Sequence, residues 1–418
     1  MDKIAIIVQR YSLDVNGGAE LHARMLAEHL KGNYEVEVLT SCAKDYITWE
    51  NYYPEGVENI NGILVHRFKV EERDKKVFHE SSKYLYKNKK YSRQKIKWSN
   101  FFSLPFKKLR YERKDNHDEM FEIWMKELGP RCEGLIDYLE AHKEDYTTFI
   151  FFTYVYYLTY KGLQIPEIAN KSILIPTAHD EITFHLEGYG NMFSRPRFIM
   201  YNTAAEKELV ERTYIETKNI RSDIAGVGFD KPVITLNNDN VPAIDYRYIV
   251  YIGRIDLNKG CKELIQYFGN YKNKYSSDLK LIMIGNNFLE ETDHHDDVVY
   301  TGYIDEQKKL WYLQNSQALV IPSRHESLSM VTLEAMSMGK PVLANKDSEV
   351  LKKHIENSNA GFLYNDRKSF SDQLNKILHL TKQEKENIAT NGTSYVRQNY
   401  DWKSILDKFH KAIDYIKN

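Results

Sequence analysis

The sequence predicts an α/β protein built from two separate domains. Three observations carry this. Short β-branched runs alternate with segments of helical apolar spacing along the whole chain. Residues 231–246, KPVITLNNDNVPAIDY, interrupt that alternation with proline, asparagine and aspartate. The strand–helix pattern then restarts at Tyr248. A length of 418 residues suits two such domains better than one. The first domain is expected over 1–232 and the second over 246–399, with a final helix in 400–418 packing back on the first.

The first half opens on a buried strand, Ile4 to Val8. A polar loop leads to Gly17-Gly18-Ala19-Glu20 and a helix through about Lys31, with Leu21, Met25, Leu26, His29 and Leu30 on one side. The glycines let a backbone approach a ligand phosphate or sugar. They equally fit a simple turn, and without GxGxxG a dinucleotide site has little support. Strands follow at Tyr34 to Thr40 and Ile63 to Val70. Residues 115–144 read as helix, and Tyr146 to Tyr157 as an aromatic strand running into a loop. The strand Ser172 to Pro176 delivers Thr177-Ala178-His179-Asp180-Glu181 at its carboxyl end, where open α/β sheets bind ligands. His179 is placed for function there, or is a buried structural histidine. Phe198 to Asn202 is a strand, Ala204 to Tyr214 a helix, and Ile224 to Asp230 ends the half.

Residues 71–146 form an insertion with a distinctive centre. Ser81 to Tyr111 contains ten lysines and arginines, eight aromatic residues and no aspartate or glutamate. Interleaved cations and rings suit an anionic membrane surface or a lipid-linked substrate, and also single-stranded nucleic acid. A solvated helical insertion with its own small core fits equally.

The second half carries strands at Tyr248 to Ile252, Leu279 to Ile284 and Val298 to Thr301. The first leads into Gly253-Arg254-Ile255-Asp256-Leu257-Asn258-Lys259-Gly260, the second into Gly285-Asn286 and the third into Gly302-Tyr303-Ile304. Helices are expected at Lys262 to Tyr271 and Asp305 to Asn315. The most informative stretch is 319–344. Leu319-Val320-Ile321 reads as a buried strand, Pro322 to Leu328 as a loop and Ser329 as an N-cap. Met330 onward is a helix closed by Gly339 and Pro341, and Val342-Leu343-Ala344 is the next strand. The loop holds Glu326 and the helix Glu334, separated by seven residues. Unpaired N–H groups from about Leu328 to Val331 offer a site for a phosphate oxygen. A carboxylate on each side can accept hydrogen bonds from sugar hydroxyls. A diphosphate with a sugar at each end, a nucleotide-sugar, fits that pattern, as does an ordinary βαβ turn with two solvated glutamates. Gly361 to Tyr364 is an edge strand, followed by helices at 369–379, 382–398 and Trp402 to Ile416.

Several of these segments together resemble one family. Gly253-Arg254 with Lys259-Gly260, Gly285 after a strand, and Glu326-x7-Glu334 ending in Gly339-Lys340-Pro341-Val342 resemble the retaining nucleotide-sugar glycosyltransferases of family four. Gly17-Gly18-Ala19-Glu20 and Gly226 to Asp230 fit the same family. The resemblance is specific over about 250–400, looser over 1–40 and 172–230, and absent over 71–146. It implies the GT-B fold, two Rossmann-like domains with parallel sheets facing across a deep cleft. It implies that Arg254 and Lys259 neutralise the leaving diphosphate without a metal or cofactor, and that Glu326 contacts the transferred sugar. Glu334 would bind the ribose, and His179 would lie near the reacting carbon. Gly17, Gly18, Gly285, Tyr303, Ile304, Leu328, Ser329, Met330 and Val331 would complete the donor site. Ser327 and Ser329 depart from the glycines that many members carry.

The expected partners are therefore a UDP- or GDP-sugar donor, a glycan or lipid-linked acceptor, and an anionic membrane surface through 81–111. A net charge of −1 argues against nucleic acid as a general partner. Cys42, Cys132 and Cys261 are scattered without pairs, which suits a reducing compartment. The chain starts directly on a strand and has no apolar run of about 18 residues. A cytoplasmic enzyme, peripheral on the inner face of the plasma membrane, is the expected setting. A sugar-nucleotide epimerase or phosphorylase on the same frame, or a non-catalytic partner subunit, are the competing readings.

Overall fold

The computed structural model describes residues 1–15, 17–87, 116–230, 232–236, 244–289 and 295–418. Most of the basic-aromatic segment, from residue 88 onward, lies outside the described residues. The chain forms two compact units. One comprises Met1–Met200, Leu209–Asp223 and Lys411–Asn418, and the other Tyr201–Glu208 and Ile224–His410.

The sheet of the first unit uses β1 (Lys3–Ile7), β2 (Glu35–Ser41), β3 (Gly56–Ile60), β4 (Ile63–Phe68), β5 (Thr148–Phe152), β6 (Ser172–Ile175), β7 (Phe198–Tyr201) and β8 (Arg221–Ile224). Their order is β3-β4-β2-β1-β5-β6-β7-β8. The pairs from β4 to β7 are parallel, and β3 returns antiparallel on β4. The central strands are apolar along their length, as strands covered on both faces must be. Much of this unit's core is aromatic: Phe121 packs edge-on against Tyr189 with ring centroids 5.0 Å apart, and Trp124 is fully buried.

Three local expectations change. The helix read over 115–144 is two helices, Asn116–Leu128 and Glu133–Ala141. Pro130 falls between them, and its missing N–H and fixed ring stop a helix from continuing. The strand read over Tyr146 to Tyr157 is only β5. It ends at Phe152, before Thr153, whose φ of 69° leaves the extended region, and a helix begins at Tyr157. Strand β3 and the helix Glu349–Ser358 were not expected.

The second sheet uses β9 (Tyr248–Ile252), β10 (Lys280–Ile284), β11 (Val298–Gly302), β12 (Leu319–Ile321), β13 (Val342–Asn345) and β14 (Gly361–Tyr364). Each strand runs parallel to its neighbours in the order β11-β10-β9-β12-β13-β14. This is the doubly wound arrangement, and the strand order reverses between β9 and β12. Leu264, Phe268, Leu281, Met283, Phe370 and Leu374 belong to one buried cluster between sheet and helices. The helix Lys382–Asn399 packs on the helix Met330–Ser337. Among the described residues no helix is long and apolar enough to cross a membrane.

Candidate active site

The reversal of strand order places two loops side by side at the carboxyl edge of the second sheet. One runs from β9 through Arg254 and Lys259 to the helix Cys261–Lys274. The other runs from β12 through Glu326 to the helix Met330–Ser337. Such switch points are where open α/β sheets bind ligands. The two loops meet in an ion pair: Lys259 Nζ lies 2.8 Å from Glu326 Oε1. The Lys259 side chain keeps 31% of its exposure and that of Glu326 13%, so the pair faces partly outward. Asp256 organises the first loop. Its carboxylate accepts from the Lys259 backbone N–H at 2.8 Å and from Arg254 Nε at 2.9 Å. Tyr251, buried at the end of β9, donates its hydroxyl to the Arg254 carbonyl at 2.5 Å.

The second loop is held at four places. Asn345 Nδ2 donates to the Pro322 carbonyl at 3.0 Å. Arg324 Nη2 reaches both oxygens of Glu263 at 3.2 Å. Thr203 Oγ1 donates to the Ser327 carbonyl at 3.2 Å, and His354 Nε2 lies 2.8 Å from the Leu328 carbonyl. Among the described hydrogen bonds, none uses the N–H of Leu328, Ser329, Met330 or Val331. These are the orphan donors of a helix N-terminus. Ser329 occupies the N-cap position, as expected, but not by the usual device. Its backbone is left-handed, with φ 60° and ψ 68°, and its hydroxyl lies 2.9 Å from Thr332 Oγ1 rather than capping a backbone N–H.

Glu334 is more enclosed than the sequence suggested. Its side chain is 12% exposed and its Oε1 lies 2.8 Å from Lys309 Nζ. Lys309 also pairs with Glu306 at 2.7 Å. Burial raises the Glu334 carboxyl above its ordinary range, against the pull of Lys309. Burial pulls Lys309 the other way, but Glu334 and Glu306 hold it charged, with a raised pKa.

The remaining expected residues divide between the units. Gly285 follows β10, and a Cβ there would sit 2.0 Å from the Gly253 carbonyl oxygen, so glycine is required by the neighbouring loop itself. Tyr303 and Ile304 follow β11 at the sheet edge, and Tyr303 is exposed. Gly17, Gly18 and His179 belong to the first unit. At Gly17 the close approach comes from the chain itself: a Cβ would lie 1.9 Å from Glu20 Oε2. Glu20 is buried against Arg10, whose Nε donates to it at 2.9 Å. The space over Gly18 is open. His179 stands four residues past β6 and is half-buried, with Nδ1 3.8 Å from Glu181 Oε2. The preceding Thr177 has φ 52°, a strained value for a β-branched residue.

Sequence reading missed Asp256, Lys309, Thr203 and His354. Asp256 carried a usable signal, a carboxylate two residues from Arg254 and three from Lys259. The other three come from segments up to 124 residues away from the loop residues they touch, and spacing could not have found them.

Residues 235–395 match the family model for glycosyl transferases group 1. Lipopolysaccharide 1,2-N-acetylglucosaminetransferase of Salmonella typhimurium is 25% identical over 189 residues, covering 41% of this chain and 49% of that protein. The chain thus aligns with about half the length of that relative. An uncharacterized glycosyltransferase of Methanocaldococcus jannaschii is 24% identical over a 445-residue alignment covering 96% of this chain and 95% of that protein. Sucrose-phosphate synthase from Thermosynechococcus elongatus superposes with a TM-score of 0.68 at 16% identity, over 99% of this chain and 98% of that one. The chain has the GT-B fold. The group 1 domain and these relatives support a glycosyltransferase.

Proposed function

We propose that the protein is a retaining glycosyltransferase that moves a hexosyl group from a UDP- or GDP-sugar to a hydroxyl of a glycan or lipid-linked acceptor. The observation that carries this is the Lys259–Glu326 contact at the switch point, beside the orphan N–H groups of Leu328 to Val331. In this reading the N–H groups and Lys259 take the diphosphate, with Arg254 beside them. As the bond from the anomeric carbon to the phosphate oxygen breaks, negative charge develops on that oxygen. Two cations and aligned N–H groups stabilise it most in the transition state, which is where stabilisation accelerates a reaction. Arg254 and Lys259 supply this charge without a metal, so transfer is expected to persist in EDTA. Glu326 is released from Lys259 by the donor and accepts from hydroxyls of the transferred sugar. Among the described residues no side chain stands out as a covalent nucleophile. Front-face displacement, with the leaving phosphate oxygen taking the acceptor proton, is the proposed route to retention. The lipopolysaccharide named in the Salmonella relative supports a glycan or lipid-linked acceptor.

The test is a panel of UDP- and GDP-sugars, read by release of nucleoside diphosphate and by thermal stabilisation. The anomeric configuration of any product is then assigned by NMR. Turnover with one donor and a retained configuration is expected. An epimerised sugar-nucleotide, or an inverted product, would overturn the reading.

A further inference from the structure

We propose that His354 is a positioning residue for the loop of Glu326: through one hydrogen bond to the Leu328 carbonyl it keeps the neighbouring N–H groups aimed for phosphate. This rests on the donor-site reading above. His354 lies in the helix Glu349–Ser358 and is 3% exposed. Both ring nitrogens are engaged. Nε2 is 2.8 Å from the Leu328 carbonyl and Nδ1 is 2.9 Å from the Tyr395 hydroxyl.

The chemistry of these partners fixes the tautomer. A carbonyl oxygen only accepts, so Nε2 carries the hydrogen. In the neutral ring Nδ1 then accepts, and the Tyr395 hydroxyl donates to it. Burial keeps the ring neutral, drawing its pKa down to about 4, against the Leu328 hydrogen bond and the charge of Glu326. The second aromatic ring nearby, Tyr400, has its centroid 6.1 Å away.

The bond matters because the loop is strained. Ser329 sits in the left-handed region at φ 60°, where the Cβ of an L-residue crowds the following carbonyl oxygen. Such a conformation persists where its surroundings over-determine it. A peptide unit is planar and trans, so fixing one carbonyl points the next N–H to the opposite side. His354 on Leu328 thereby fixes the N–H of Ser329, and Thr203 on Ser327 fixes that of Leu328. These are two of the four orphan donors.

The test compares the full chain with His354→Ala, His354→Gln and Tyr395→Phe. The first readout, which needs no ligand, is hydrogen–deuterium exchange of the Thr332 and Leu333 amides in peptides covering 326–333, since both donate to the carbonyl of the strained Ser329. Exchange should rise at least tenfold in His354→Ala and return close to the parent in His354→Gln, whose amide can donate to the same carbonyl. Tyr395→Phe, which frees the tautomer, should rise less. The second readout is calorimetric titration with UDP and GDP, where at least tenfold weaker binding is expected for His354→Ala. Unchanged exchange in His354→Ala, or no recovery in His354→Gln, would overturn the proposal. If His354→Ala does not fold, Tyr395→Phe decides, and parent-like exchange there overturns it. If the parent protein binds neither nucleotide while the exchange pattern holds, the donor-site reading fails and the positioning role stands.

Discussion

Lys259 and Glu326 show how a residue pair can be costly to lose for activity and cheap for stability. Both side chains keep some exposure, and pairs of that kind contribute about 0.2–1 kcal/mol. A cation facing charge that develops only in the transition state is worth far more, about 10²–10³ in kcat for a comparable donor. Lys259→Ala and Glu326→Gln should therefore each lower sugar transfer by at least 10², with a denaturation midpoint close to the parent. Normal turnover in either variant would remove that residue from the site. His354 behaves in the opposite way, because it is enclosed. Its folded pKa of about 4 lies below the ordinary histidine value of about 6.5, so the unfolded chain takes up the proton first as pH falls. Its contribution is full above about pH 6.5 and declines toward pH 4, by about 3 kcal/mol in total. Tyr395 and Leu328 are its hydrogen-bond partners and Glu326 the charge it senses. Urea denaturation at pH 7.5, 5.5 and 4 should show a steeper loss for the parent than for His354→Gln. Equal slopes would place the acid sensitivity elsewhere.

At the scale of elements, legibility depended on whether the signal was local. The stretch 319–344 was read almost to the residue. The strand is β12, the helix begins after Ser329, and Gly339 follows the C-cap Met338 with φ 71°. A buried strand, an N-cap position and a glycine C-terminal stop are all encoded within a few residues. Two elements were missed although local signals existed. Asn61-Gly62 between β3 and β4 is a two-residue hairpin turn, with φ 51° and 80°. Ser348 before Glu349 is an N-cap whose hydroxyl accepts from the Leu351 N–H. The tie between the helices Glu306–Asn315 and Met330–Ser337 had no local signal at all. Lys309 and Glu334 are 25 residues apart and nearly enclosed. Removing one partner of a buried pair leaves an uncompensated charge, at a cost of about 3–5 kcal/mol. Lys309→Met should destabilise the protein by that order in urea denaturation. The double variant Lys309→Met with Glu334→Gln should recover most of the loss, and no recovery would mean that Lys309 stabilises through packing instead.

For the whole molecule, charge is distributed unevenly. The net charge is −1, yet residues 81–111 carry ten cations and no anion. Electrostatic attraction of such a segment to anionic lipid is screened over about 10 Å at 0.1 M salt and 3 Å at 1 M. The full chain should co-sediment with phosphatidylglycerol vesicles at low salt and be released at high salt. Replacing Lys89, Lys90, Lys95 and Lys97 by alanine should weaken the association. Absence of low-salt binding would leave the segment to the acceptor or to its own packing. By itself the sequence determined the α/β class, the restart of the pattern at Tyr248 and the carboxylates and cations of the switch-point loops, because strand, cap and turn chemistry act over a few residues. Only the tertiary structure decided that Lys259 meets Glu326, that Lys309 encloses Glu334, and that His354 and Thr203 hold the loop between them. Those contacts join segments 25 to 124 residues apart in sequence. Lys259 meets Glu326 because the parallel crossovers of the second sheet bring the carboxyl ends of β9 and β12 side by side.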